Sequence, residues 1–81
     1  MYIVSQDKRC AVKAQSIRLK EDIRLVADSF VHAGYDIWAN ESTHVAKYKS
    51  GAQAQQVFAV LRHKLADGED EWYWMPEDDQ P

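Results

Sequence analysis

The sequence lacks the disulfides and metal sites that stabilise many small proteins in addition to their hydrophobic core. Its single cysteine, Cys10, excludes an internal disulfide. Cys10 and the three histidines, His32, His44 and His63, do not have the spacing of a metal site. The three glycines are isolated from one another, which excludes a glycine-rich phosphate-binding loop. Stability must therefore come from a compact core or from a second subunit.

Long apolar runs are also absent. No segment approaches the roughly 18 apolar residues of a membrane-spanning helix, and the N-terminus lacks the pattern of a secretory signal. We therefore expect a cytoplasmic protein with no membrane contact. The 81 residues are enough for one small domain, which we place at residues 1–76, and for a flexible acidic tail over residues 77–81.

The net charge of −3 is distributed unevenly along the chain. The simplest interpretation is a solvated surface with an acidic end. The alternative is an acidic end that lies on the basic N-terminal hairpin of the same or a neighbouring chain. A nucleic-acid partner is disfavoured, because the domain is acidic and its bases are not interleaved with aromatic residues. The basic residues near the N-terminus are Lys8, Arg9, Lys13, Arg18 and Lys20, and the acidic residues near the C-terminus are Asp67, Glu69, Asp70, Glu71, Glu77, Asp78 and Asp79.

Residues 51–66 are predicted to form an amphipathic helix. Ser50 is a favoured N-cap, and Gln53 completes the S-x-x-Q pattern of a capping box. Gly68 stands where a left-handed C-terminal cap is expected. One helix face is apolar because hydrophobic residues recur every three or four positions, at Ala54, Val57, Phe58, Leu61 and Leu65.

Short β-prone segments surround this helix. The first two are expected to pair as a hairpin, and the last directly follows the helix. The fold class is therefore α+β, a mostly antiparallel sheet of about five or six short strands with the helix over residues 51–66 packed on one face. The predicted strands lie at residues 2–5, 9–12, 16–20, 35–40, 44–48 and 71–75.

The segment over residues 22–33 is ambiguous. Its apolar residues fit a helical stripe that Gly34 would end, and a subset at alternate positions fits a strand equally well. Ser29, Val31 and His32 are mediocre helix formers, so propensity does not decide between the two. The helical set is Ile23, Val26, Ala27, Phe30 and Val31, and the alternating set is Ile23, Leu25 and Ala27.

Four motifs resemble a group of small proteins of Gram-positive bacteria and their phages. They are the opening MYIVSQDK, the strand-like YDIWA, AKYKS followed four residues later by QQVF, and the closing YWMPED. The resemblance covers residues 1–20 and 35–78, and residues 21–34 look like a variable insertion. It implies strands followed by a helix, which favours an extended hairpin over residues 21–34. No activity and no binding residue can be carried over from this resemblance to the present sequence.

We expect no catalytic, cofactor-binding or metal-binding residues. Cys10 and His44 could meet in the fold as a nucleophile and its base, but no activating motif surrounds Cys10. The carboxylates of the acidic end lack both the contrasting environments of an acid–base pair and the spacing of a calcium loop. The serines lack the context of a nucleophile elbow.

The aromatic residues near the C-terminus are the strongest candidates for function. Because Trp72, Tyr73 and Trp74 are consecutive, a strand must project them to both faces of its sheet. One face can pack on the core, and the other would leave aromatic surface for a partner. The alternative is that the helix and the sheet bury all of them. The candidate partner interface comprises Trp72, Tyr73, Trp74, Met75, Trp38 and Tyr48.

We therefore expect a non-enzymatic protein that acts by binding. It would form a homodimer or bind another protein, with the terminal strand added to a neighbouring sheet edge. A second interpretation is a phage-type regulatory or inhibitory protein that presents its acidic end to a basic host partner. A small enzyme with a Cys–His site is the least favoured of the three.

Overall fold

The computed structural model of the chain describes residues 1–68 and 71–79 and confirms the predicted α+β class. Each predicted strand is present, and two of them extend through the segment whose structure the sequence left open. In chain order the elements are β1 (Tyr2–Val4), β2 (Ala11–Lys13), β3 (Ile17–Val26), β4 (Ser29–Ala39), β5 (Thr43–Tyr48), α1 (Gly51–Asp67) and β6 (Trp72–Trp74).

The helix α1 begins and ends as its capping residues predict. The Ser50 hydroxyl accepts a hydrogen bond from the Gln53 backbone N–H at 3.3 Å, which satisfies one of the free donors of the first turn. Gly68 has φ 69° and closes the last turn in the left-handed conformation. The capping-box prediction for the Gln53 side chain is wrong. Its amide instead donates to the Glu77 carbonyl at 2.9 Å and accepts from the Asp79 N–H at 3.0 Å.

Residues 77–79 of the predicted acidic tail make hydrogen bonds to residues at the start of the helix. Glu77 and Asp79 are hydrogen-bonded to Gln53 at the start of the helix, and the Asp78 carboxylate accepts from the Lys49 N–H at 3.1 Å. Residues 80–81 of the predicted tail lie outside the described residues. Residues 77–79 therefore lie against the start of α1.

The ambiguous segment is an extended hairpin. β3 and β4 pair in antiparallel register from Ile17 opposite Ala39 to Val26 opposite Ser29. A two-residue turn joins them, in which Ala27 and Asp28 have φ values of 49° and 64°. Two positive φ values in succession are the geometry that matches the twist of a tight hairpin. The sequence gives only a weak sign of this turn, because Asp28 is of a type that such turns favour but Ala27 is not.

The six strands form two three-stranded sheets. The first has the order β2-β1-β6 and the second the order β3-β4-β5. Strand pairs that are neighbours in sequence are antiparallel, and β6 returns after the helix to pair in parallel with β1. β6 and β3 are consequently edge strands of their sheets.

The core lies between the helix and the inner faces of both sheets. The helix contributes Ala54, Val57 and Leu61, all of them buried, and it contacts β3, β4 and β5. Tyr48 is fully buried, and its hydroxyl donates to the Pro76 carbonyl at 2.6 Å. Burial raises the pKa of the Tyr48 hydroxyl well above its usual range, so the group remains a donor at physiological pH. The other core residues are Met1, Ile3, Ala14, Ile37, Ala39, Val45, Ala46 and Met75.

Gly34 occupies a position in β4 that no other residue fits without strain. It has φ 126°, and a Cβ added there would lie 2.9 Å from the Tyr48 carbonyl oxygen on β5. It lies beside the irregularity where Asp22 pairs with Gly34 but Ile23 pairs with His32, leaving Ala33 as an extra residue. Gly34 is therefore a bulge residue and not the helix stop that one reading of the sequence proposed.

We expect Gly34→Ala to lower the free energy of unfolding by about 2 kcal/mol or more, because the methyl group adds a close contact to an unfavourable φ. Gly68→Ala is the matched control. It also has a positive φ, but no atom lies within 4 Å of the added Cβ, so we expect a loss of about 1 kcal/mol. Denaturant unfolding followed by tryptophan fluorescence measures both values. Equal losses would show that the Tyr48 carbonyl does not restrict residue 34.

Candidate functional site

β6 presents its residues to two different environments, as its consecutive aromatics predict. Tyr73 is opposite Ile3 of β1 and packs against the core, whereas Trp72 and Trp74 point to the other face and are each 60% exposed. Burial raises the pKa of the Tyr73 hydroxyl. The strand therefore has one face in the core and one in solvent.

The outer face of the first sheet is aromatic. The Tyr2 ring stacks on the Trp72 ring with centroids 4.8 Å apart and an interplanar angle of 17°. Trp74 lies opposite Val4, which is buried although it is not part of the main core cluster. We call Tyr2, Val4, Trp72 and Trp74 the aromatic face. Lys13 lies opposite Tyr2 on the neighbouring strand, so one positive charge borders this face.

In the part of the chain that the structure describes, no strand pairs with the second edge of β6. The Tyr2 N–H donates to the Glu71 carbonyl at 2.7 Å, and the Met75 N–H donates to the Val4 carbonyl at 3.0 Å. Because backbone groups alternate in direction along a strand, the N–H and C=O groups of Trp72 and Trp74 point away from β1. The open edge and the two exposed indoles therefore belong to the same two residues.

The other predicted interface residues lie elsewhere. Tyr48 and Met75 are core residues with 0% and 5% exposure, so neither belongs to the exposed surface. Trp38 is partly buried on the outer face of the second sheet, where its ring meets the His44 ring edge-on at 5.1 Å. The structure thus brings Trp72 and Trp74 together and separates Trp38 from them on a different sheet.

The His44 side chain and the Cys10 backbone each make a hydrogen bond or close polar contact with a nearby residue. His44 Nε2 lies 2.8 Å from Asp36 Oδ1, and both side chains belong to the outer face of the second sheet. Cys10 is exposed near the end of the β1–β2 turn, where its N–H donates to the Ser5 hydroxyl. Among residues 1–68 and 71–79, no three His, Cys, Asp or Glu side chains are grouped to hold a metal ion.

The helix carries a shallow groove of about 420 Å³ on its solvent side. Lys64 and Glu71 form a salt bridge across it at 2.8 Å, so these two lining charges already neutralise each other. The groove therefore offers few polar groups that converge on a ligand. Its lining residues are Ala59, Val60, His63, Lys64, Asp67 and Glu71.

A second apolar surface was missed by the sequence reasoning. All ten residues from 23 to 32 are exposed, and we call this end of the β3–β4 hairpin the arm. Phe30 is 80% and Leu25 64% exposed, and they lie opposite one another in the register. The available signal was that the apolar residues occupy both faces of the predicted hairpin. The exposed apolar residues of the arm are Ile23, Leu25, Val26, Phe30 and Val31.

A charged cluster holds the base of the arm. Asp22 Oδ2 accepts from Lys47 Nζ at 2.7 Å and from Arg24 Nη2 at 3.1 Å. These hydrogen bonds hold the pKa of the Asp22 carboxyl below its ordinary value, and the bond from Lys47 has the larger effect. The cluster links β3 to β5 across β4, where the bulge interrupts regular pairing.

Known proteins give no match to this chain: no family model, no curated protein and no solved structure corresponds to it. The resemblance to small proteins of Gram-positive bacteria and their phages stays a prediction. No helix in the described part of the chain has the length and apolar character to cross a membrane. The aromatic face and the arm are the two exposed apolar surfaces that suggest a function.

The Asp22 cluster predicts a loss of stability in acid. Because the pKa of Asp22 is lower in the folded chain than in the unfolded one, its contribution is present above about pH 4 and is lost as the pH falls through the folded value. We expect wild type to have a higher unfolding midpoint than Asp22→Asn at pH 7, and this difference to disappear well below pH 4. Urea unfolding at both pH values measures it. A difference that persists unchanged in acid would contradict the role of the Asp22 charge.

Proposed function

We propose that this protein is a non-enzymatic interaction module that binds an extended segment of another protein along the open edge of β6. One observation carries the proposal: Trp72 and Trp74 combine exposed indole rings with backbone groups directed away from β1. An edge strand of this kind is a template for strand addition.

Backbone pairing would supply the direction and register of the bound segment. A strand added beside β6 would extend the first sheet from β2-β1-β6 to four strands. Its side chains would alternate between the aromatic face and the inner side of the sheet. The segment is therefore expected to carry apolar or aromatic residues at every second position.

The aromatic face would supply most of the binding energy. Trp and Tyr residues dominate measured binding hot spots, because they bury large apolar areas and lose few rotamers. The stack of Tyr2 on Trp72 holds one indole in place before a partner arrives, which lowers the entropy lost on binding. The proposed anchor is therefore already ordered in the free protein.

Two carboxylates of the acidic end already have partners within the protein, which makes the acidic end a weaker candidate for the binding surface than the aromatic face. Glu71 pairs with Lys64, and Asp78 accepts a hydrogen bond from the Lys49 backbone. A basic partner would have to compete with these contacts within the protein itself. The Trp74 indole of the aromatic face makes no hydrogen bond or ring contact with the described residues that a partner would have to displace.

A library of unstructured peptides can be selected for binding to the wild-type protein. We expect Trp72→Ala and Trp74→Ala each to bind the selected peptides at least about tenfold more weakly, because each variant lacks an indole that the bound peptide would cover. Isothermal titration calorimetry measures the affinities, and Val60→Ala, which truncates an exposed apolar residue on the helix, is the matched control.

Two further readouts separate strand addition from simple apolar adhesion. Amide NMR shifts on binding should be largest at residues 72–74. N-methylation of every second peptide residue should weaken binding in one of its two registers, in which the methylated amides face β6, and should be tolerated in the other. The proposal fails if the selected peptides bind both tryptophan variants as tightly as wild type, or if N-methylation has no effect in both registers.

A further inference from the structure

The arm is an apolar extension that the domain does not cover. Along β3, residues at alternate positions share a face, so Ile23 and Leu25 continue the face on which Leu19 packs against the core. Phe30, which lies opposite Leu25, adds to this face, whereas Val26 and Val31 lie on the other face of the arm. Exposed apolar residues that adjoin one another in this way are typical of an interaction site.

The second sheet has one protected edge and one open edge. Along β5, the Gln6 N–H donates to the Val45 carbonyl at 2.7 Å, and the Gln6 side chain accepts from the Lys47 N–H at 3.0 Å. β3, at the opposite edge, has ten residues and pairs only with β4 among the described strands. The arm thus joins exposed apolar side chains to an open backbone edge.

We propose that two copies of this chain associate by antiparallel pairing of their β3 strands about a two-fold axis at Ile23. The two sheets would then form one continuous six-stranded sheet. This proposal goes beyond the binding site at β6, since it uses a different strand in the other sheet.

The charges of β3 select this register. With the axis at Ile23, Asp22 of each copy lies opposite Arg24 of the other, so two attractive pairs between the copies add to the Asp22–Arg24 ion pair within each copy. An axis at Asp22 would set two carboxylates opposite each other, and an axis at Arg24 would set two guanidinium groups opposite each other. Only an axis that passes through a residue places the apolar face of one copy on the same side of the joined sheet as that of the other, because side chains alternate between the two faces along a strand.

The same register joins the apolar faces of the two arms. Ile23 of one copy lies opposite Ile23 of the other, and Leu25 and Phe30 of each copy lie on that same face of the joined sheet. The pairing also satisfies the outward backbone groups of β3, with which no described strand of the same chain pairs.

The experiment measures the mass of the full chain by light scattering after size exclusion, from about 1 µM to about 500 µM. We expect wild type to form a dimer in this range. Arg24→Asp and Asp22→Arg should each weaken it at least about tenfold, because each sets like charges opposite one another. An equimolar mixture of the two variants should recover a dimer, because every opposed pair is then attractive.

Leu25→Asp provides a variant that leaves the Asp22 cluster intact, and it should also abolish the dimer. Val60→Asp is the control, since it places the same charge on another exposed apolar position and should leave the dimer unchanged. Circular dichroism checks that each variant is folded. The proposal is overturned if wild type is monomeric at about 500 µM, or if the folded variants dimerise as wild type does. A monomer whose arm binds phosphatidylcholine vesicles would likewise overturn it. None of these substitutions touches β6, so peptide binding there is tested separately.

Discussion

The structure depends on one helix having to cover an apolar sheet that is longer than itself. The 17 residues of α1 span about 25 Å, whereas the β3–β4 hairpin reaches about 35 Å. The helix buries the base of the hairpin around Leu19 and Ile37 and leaves the arm uncovered. The unequal lengths create both the compact core and the exposed apolar end.

The path of the chain after the helix determines the position of the aromatic face. The buried Tyr48 hydroxyl binds the Pro76 carbonyl, and Gln53 binds the backbone of Glu77 and Asp79. These contacts hold the residues that follow β6 against β5 and the start of α1. With Tyr73 directed into the core, the two flanking tryptophans must face solvent. The aromatic face is therefore a consequence of burying the residue between them.

Polar side chains in this protein are used mainly to join the two sheets and close the turns. The Asn40 side chain accepts from the Gln15 N–H at 2.7 Å and donates to the Lys13 carbonyl at 2.8 Å, so it ties the connection between the sheets to the end of β4. Asp7 accepts from the Ser5 hydroxyl at 2.6 Å and from the Arg9 N–H at 3.0 Å, which orders the β1–β2 turn. Asn40 and Asp7 therefore have structural roles, at the connection between the sheets and at the β1–β2 turn.

The sequence by itself determined the helix, its two caps and the two-faced character of the terminal strand. Each of these depends on residues close together in the chain: Ser50 and Gly68 on local backbone groups, and Trp72 to Trp74 on the alternation of any strand. Tertiary structure decided what local patterns leave open. Residues 22–33 fit a helix and a strand equally well, and pairing of β3 with β4 selected the strand. Likewise, burial of Tyr48 and Met75 and exposure of Phe30 depend on which surfaces the single helix reaches, and that is set by packing between distant parts of the chain.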